Sequence, residues 1–403
     1  MTGKSWQQPA ESLKAGGEPF PDLCHKIVLF VASDADVISR FKPMLEVLKE
    51  IAREVVVVTG SSGRLSEIET LGVRTVDFDD RHASRNPADR ALAVWRLARI
   101  VEAEDPDVVH LVGMGPIVLG GLAFRLASAA RTMIHVTGPG PFVVADGRLS
   151  RFRRGAALRV AASILRKRTG YLLVDNPSDL ALLRAEGVEP GPRFAILGGP
   201  GVDPQAFPAL PPPANAHPVA AFVGGMTKIN GVDLLLQACD RVAGRGLRLT
   251  LELCGESDAA DAEAIDPQAL RAWCARGGGR WHDHAADARE VWRHADICVL
   301  PARHGGGMPR ALLEAAECAR PLIVTDVPGS RDFVRDGVEG LVVPPDDAAA
   351  LADALQRLAR DGDLRERMGE AARLRLLHGY THAHAREALR AAYQSLLGKT
   401  RTA

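Results

Sequence analysis

The sequence predicts an α/β protein built from two doubly wound, Rossmann-like parallel-sheet domains, and three observations carry that expectation. Short continuous Val/Ile/Leu runs alternate with helix-length segments along most of the chain. A Pro-rich stretch, PALPPPANAHP at 208–218, interrupts the alternation near the midpoint, and the same alternation then restarts. Continuous apolar runs suit strands covered by helices on both faces. A length of 403 residues lets each of two domains bury its own core.

In the first half, strands are expected at 26–32, 54–60, 73–78, 107–113, 131–138 and 170–176, with helices over 41–52, 87–104, 116–129 and 177–186. Asn176-Pro177-Ser178 supplies a cap and a first turn for the last of these helices. In the second half, strands are expected at 219–225, 247–255, 280–284, 296–302 and 321–326. Amphipathic helices follow at 347–361, 363–377 and 382–398. The boundaries are a first domain at 24–207, a stiff linker at 208–218, a second domain at 219–381 and a closing helical segment at 382–403. Residues 1–23 are polar, contain Gly16-Gly17, Pro19 and Pro21, and lack the apolar stretch of a signal peptide, so a disordered tail is expected there.

Composition narrows the function classes. Lys+Arg and Asp+Glu are equal at 50 each, which leaves no global field to recruit nucleic acid. The six cysteines form no CxxC pair and several sit in apolar runs, the pattern of reduced buried thiols in a cytosolic protein without a metal. No apolar run reaches the roughly 18 to 20 residues needed to span a bilayer.

Ligands of open parallel sheets bind beyond the carboxyl ends of the strands, so the loops after the strands are the places to read. After the strand ending near Leu300 comes His304-Gly305-Gly306-Gly307-Met308, then a helix beginning near Pro309. Glycines let backbone amides approach an anion, and a helix start adds partial positive charge. Glu314 follows on that helix; one ionised carboxylate can accept two O–H bonds from a vicinal diol. With Glu317 at i+3 it also fits an ordinary solvated helix glutamate. A second glycine loop, Gly224-Gly225-Met226-Thr227-Lys228-Ile229-Asn230-Gly231-Val232-Asp233, follows the first strand of the second domain.

The segments Pro309-Arg310-Ala311-Leu312-Leu313-Glu314-Ala315, Arg320–Gly329, Gly340–Asp346 and Gly231-Val232-Asp233 follow, in order and spacing, those of the family-4 retaining glycosyltransferases. The resemblance runs from about Ile27 to Pro345 and implies the GT-B fold, two facing Rossmann-like domains with the nucleotide-sugar donor on the second and the last helix packing back onto the first. It implies that Glu314 holds the nucleotide ribose and that Gly305, Gly306, Gly307 and Met308 present amides to sugar and diphosphate. The family's earlier acid, which touches the transferred sugar, falls at Gly306, and its diphosphate-binding Arg and Lys fall at Gly225 and Asn230, beside Gly224. Lys228 or Arg310 is then the cation left to offset leaving-group charge, with a solvated loop lysine as the other reading of Lys228. Gly255 and His282 lie on the loops expected to face the nucleobase. A family histidine that contacts the donor sugar falls at Thr137, and His135 lies two residues earlier, either a displaced counterpart or a core histidine. Nothing resembles a DxD-type metal site, so neither metal nor other cofactor is expected; His282, His284, Asp283 and Asp287 are too sparse a set.

Residues 151–168, RFRRGAALRVAASILRKR, carry seven cations and no acid, with Ala156, Ala157, Val160, Ala161, Ile164 and Leu165 at helical spacing. This pattern resembles a basic amphipathic helix that docks on an anionic membrane, and equally a core-facing helix with a solvated basic side. The function expected is a cytoplasmic, membrane-peripheral glycosyltransferase acting on a cell-surface glycan or lipid-linked acceptor, with no nucleic-acid partner. The alternative is a non-catalytic relative that binds a nucleotide, a glycan or a partner transferase, as the replacements at Gly225, Asn230 and Gly306 allow. A GT-B epimerase fits the Pro-Arg-x-Leu-Leu-Glu pattern less well. Loops 33–40 and 138–150 are the expected seat of acceptor specificity.

Overall fold

The computed structural model describes residues 23–78, 87–127, 130–138, 148–167, 169–206, 208–258, 261, 263–283 and 288–398. The expected tail, most of the 138–150 loop, His284, Asp287 and Arg168 lie outside the described residues.

Two all-parallel sheets form the frame. The first has seven strands in the order β3-β2-β1-β4-β5-β6-β7: β1 Cys24–Ser33, β2 Ala52–Gly60, β3 Arg74–Asp77, β4 Val108–Val112, β5 Arg131–Val136, β6 Gly170–Val174 and β7 Phe194–Ile196. The second has six, in the order β10-β9-β8-β11-β12-β13: β8 Val219–Val223, β9 Thr250–Cys254, β10 Gly279–His282, β11 Ile297–Leu300, β12 Leu322–Thr325 and β13 Gly340–Val343. Each order reverses once, between β1 and β4 and between β8 and β11. Those reversals are where open α/β sheets leave a crevice at the carboxyl ends of their strands.

The apolar runs are two-faced, as their lack of alternation implies. Along β1, Val28 and Phe30 join one buried cluster while Ile27, Leu29 and Val31 join another on the opposite face. The cluster under the second sheet includes Phe222, Leu235, Leu253, Trp292, Val299, Leu313 and Leu355. The helix His382–Leu397, the last in the described chain, sends Leu389, Ala392, Tyr393 and Leu396 into the first sheet's core, where Tyr393 Oη lies 3.0 Å from His110 Nδ1. The chain therefore crosses back over the cleft between the sheets.

The Pro-rich stretch is more than a spacer. Asn215 Nδ2 donates to Asp296 Oδ2 at 2.7 Å and to the His294 carbonyl at 2.9 Å, and Arg320 Nη1 donates to the Pro211 carbonyl at 3.1 Å. The linker is thus fastened to the second domain. The helix Arg148–Leu165 buries Ala157, Leu158, Ala161, Ile164 and Leu165 in the first domain's core and leaves Arg159, Arg166 and Lys167 exposed at and beyond its surface. Its apolar face is thereby used within the fold, with Ala156 exposed and Val160 half-buried. No helix among the described residues is long and apolar enough to cross a membrane.

Candidate active site in the interdomain cleft

A cleft of about 2180 Å³ separates the carboxyl ends of the two sheets, and both domains line it. From the second domain come Gly224, Gly225, Asn230, Gly255, His304, Gly305, Gly306, Met308, Arg310 and Glu314; from the first come Arg40, His135 and Asp175.

The helix Arg310–Glu317 begins directly after the glycine loop, with Pro309 at its N-cap position in extended conformation. Its own Leu312, Leu313, Ala315 and Ala316 are buried, which fixes the helix against β11 and β12. Glu314 is only 5% exposed and opens onto the cleft. Arg310 Nε donates to Glu314 Oε1 at 2.7 Å, and its Nη1 reaches the Ser39 carbonyl of the first domain at 2.9 Å. One arginine thus joins the ribose-candidate carboxylate to the opposite wall.

The glycines of the two loops are there for close approach. A Cβ on Gly231, whose φ is +74°, would stand 1.9 Å from the Pro301 carbonyl oxygen, so only glycine lets the 224–233 loop lie on the start of the 301–309 loop. Gly306 is the opposite case: its Cβ position meets nothing within 4 Å and faces open cleft. Gly138, two residues past β5, packs so tightly on Gly306 and Gly307 that a Cβ there would come within 2.5 Å of their backbone. The two domains therefore touch across the glycine loop.

Several expected roles are redistributed. Lys228 is exposed and is not among the side chains lining the cleft; its carbonyl accepts from Arg303 Nη1. Asn230 Nδ2 donates to the Gly225 carbonyl at 2.8 Å, so it braces its own loop. Arg303, which sequence reasoning passed over, meets Asp233 Oδ1 and Oδ2 at 2.6 and 2.9 Å and Asp346 Oδ1 at 2.6 Å. Bonding to Asp233, then to Asp346, holds its guanidinium pKa above the ordinary value. Its charge is consumed in tying loops together. Sequence reasoning missed several cations on the cleft wall, Arg40, Lys49, Arg386 and Arg390 among them; the Arg40 guanidinium lies 5.5 Å from the Phe41 ring centroid.

Gly255 lines the cleft, yet its N–H donates to the His282 carbonyl at 3.0 Å and its carbonyl accepts from Trp281 Nε1 at 2.9 Å. Its backbone is spoken for as packed floor, and His282 is exposed and contributes its carbonyl alone to that floor. Thr137 lies just past β5 and turns its carbonyl toward Gly307, where a Cβ would come within 2.7 Å. His135 is 3% exposed inside β5, and its Nε2 lies 2.9 Å from Asp175 Oδ1. Among the described residues, no three His, Cys, Asp or Glu side chains converge as a metal site would require.

A sequence profile described as "Glycosyl transferases group 1" matches residues 217–361, and one described as "Glycosyl transferase 4-like domain" matches residues 44–198. The chain belongs to the group 1 glycosyltransferases. It is similar to the alpha-D-kanosaminyltransferase of Streptomyces kanamyceticus, 31% identical over 158 residues that span 39% of this chain and 40% of that protein. It is similar over more of its length to the N,N'-diacetylbacillosaminyl-diphospho-undecaprenol alpha-1,3-N-acetylgalactosaminyltransferase of Campylobacter jejuni, 21% identical, covering 80% of this chain and 86% of that one. The fold matches that of HepE from Anabaena, solved in complex with UDP and glucose, with a TM-score of 0.71 at 13% identity over 91% of this chain and 98% of that one. The chain spans half or less of the length of several curated relatives it matches. The GT-B architecture expected of a group 1 glycosyltransferase is thus present: two facing parallel-sheet domains with the glycine loops at the cleft.

Proposed function

We propose that this group 1 glycosyltransferase moves a sugar, with retention at the anomeric carbon, from a nucleotide-sugar donor to a hydroxyl of a cell-surface glycan or lipid-linked saccharide. The observation that carries the reading is Glu314: a nearly buried carboxylate on the cleft floor, beyond the strand ends at the second sheet's reversal and one helix turn past a glycine loop. It accepts the ribose diol. Glycine-loop amides and the start of the Arg310–Glu317 helix face the diphosphate, whose charge grows as the bond from the anomeric carbon to phosphate oxygen breaks. The acceptor oxygen bonds to that carbon on the same face, and its proton passes to the departing phosphate oxygen. Arg310, and Arg40 from the opposite wall, are among the cations lining the cleft and offset this charge in place of the family's Arg and Lys.

UDP stands first among donors to be tried, because the structural neighbour from Anabaena binds it, and a polyprenyl-linked acceptor accords with the name of the Campylobacter relative. A peripheral position on an anionic cytoplasmic membrane rests on the basic side of the 148–165 helix alone, since its apolar side is buried. Co-sedimentation with vesicles containing phosphatidylglycerol should fall when Arg166 and Lys167 become Gln; unchanged co-sedimentation contradicts that position.

The reading is tested by thermal shift with UDP, GDP and ADP, followed by nucleotide release from the matching sugar nucleotides. A stabilising nucleotide whose sugar conjugate is turned over supports transfer. Binding without release across the panel supports the non-catalytic alternative, and no binding at all overturns both.

A further inference from the structure

The loop that faces the donor lacks a carboxylate at Gly306, yet a carboxylate stands beside it from the other domain. Asp175 follows the last residue of β6, at the carboxyl end of the first sheet, and is 5% exposed. Its Oδ1 is fixed by His135 Nε2 at 2.9 Å. Its Oδ2 accepts no hydrogen bond among the described residues, and it lies 2.8 Å from where a Cβ on Gly307 would stand. Asp175, His135 and Gly306 all line the cleft. Oδ2 is not one of the fully buried unpartnered side-chain atoms, so it opens to the cleft with an acceptor to spare, and the open space over Gly306 is where a polar group could enter to meet it.

We propose that Asp175, aimed by His135, is the residue that binds a hydroxyl of the transferred sugar, supplying from the first domain the acid that the glycine loop does not carry. This inference rests on the glycosyltransferase reading. Its chemistry is recognition only: the sugar O–H donates to Asp175 Oδ2, no covalent bond changes, and His135 acts as a positioning residue through Oδ1. Because acid and loop sit on different domains, the sugar contact exists only while the Gly138–Gly306 contact is closed, so bare nucleotide and sugar nucleotide must respond differently to its loss.

The test compares UDP with UDP-glucose, GDP with GDP-mannose and ADP with ADP-glucose on wild type, Asp175→Asn and Asp175→Asn/Gly306→Glu by calorimetry, with thermal unfolding of each variant. Asp175→Asn is expected to weaken the sugar nucleotide that wild type prefers by about 10-fold or more and to leave the bare nucleotide within twofold. The added Gly306→Glu, which enters open space, is expected to restore part of the loss. Should Asp175→Asn not fold, Asp175→Glu, which keeps the charge and shifts the carboxylate by one methylene, is expected to give the same sugar-confined loss. The inference is overturned if wild type binds a nucleotide and its sugar conjugate but the Asp175 variant weakens neither, or weakens both equally. A wild type that binds no nucleotide overturns the underlying reading, and the inference with it.

Discussion

Replacing Glu314 by Gln keeps the shape of the side chain and removes its charge, which makes it a direct probe of the ribose assignment. A charge-assisted bond is worth roughly twice a neutral one, so converting two O–H···O⁻ bonds to neutral ones forfeits on the order of 1 kcal/mol each. Against that stands the resting pair, since in the free protein Arg310 Nε already holds Glu314 Oε1 at 2.7 Å. The Arg310 side chain is 50% exposed, and ion pairs with such exposure contribute at most about 1 kcal/mol. The net loss is therefore about 1–2 kcal/mol, a rise of roughly 5- to 30-fold in the Kd of the preferred nucleoside diphosphate. Calorimetry with that nucleotide and, separately, with inorganic pyrophosphate measures it. Pyrophosphate has no ribose, so its affinity should hold or improve when the negative charge is removed. An unchanged nucleotide Kd, or equal losses for nucleotide and pyrophosphate, would refute the assignment.

Two further outcomes follow from named contacts. Asp179, third residue of the helix that Asn176 caps, is pushed up to about 7 from an ordinary 3.8, first by burial and then by the neighbouring Asp175, against the bond from Asn176. The folded state keeps this proton where an unfolded chain has lost it, so it binds more protons between those values and stability falls as pH rises through that window. Asp179→Asn should flatten that fall, gaining at most about 4 kcal/mol on wild type between pH 4 and pH 8 in denaturant titrations; parallel stability profiles would contradict it. Gly231→Ala forces a methyl to within 1.9 Å of the Pro301 carbonyl oxygen at φ +74° and should cost about 2–4 kcal/mol, whereas Gly306→Ala enters open space and should leave the melting temperature within a degree or two. Similar melting shifts for the two would show that the glycine loops are not packed as described.

Much of the fold could be read from the chain because its strands are two-faced apolar runs: β1, β2, β8 and β12 announce themselves as unbroken apolar stretches. The two strands not anticipated, β7 and β13, are three and four residues long. Phe194-Ala195-Ile196 is only partly buried at the sheet edge, too short for any periodicity to show. At the site, Glu314 was legible because its neighbours lie on the same loop and helix. Asp175 was not, since its position after a strand reads as the approach to the Asn176 cap, and its meaning depends on Gly306 and Gly307 arriving from beyond the linker. Lys228 and Arg303 mark a second limit: spacing places a cation on a loop, but burial decides whether it faces a ligand, solvent or, as Arg303 does, two carboxylates.

The central claim is that the interdomain cleft is a nucleotide-sugar site anchored at Glu314. The measurement that tests it most directly is a crystal structure with the preferred nucleoside diphosphate bound. The ribose 2′ and 3′ oxygens are predicted within hydrogen-bond distance of the Glu314 carboxylate, with the diphosphate over the 305–308 amides. A nucleotide bound elsewhere, or one in the cleft whose ribose leaves Glu314 untouched, would contradict the account.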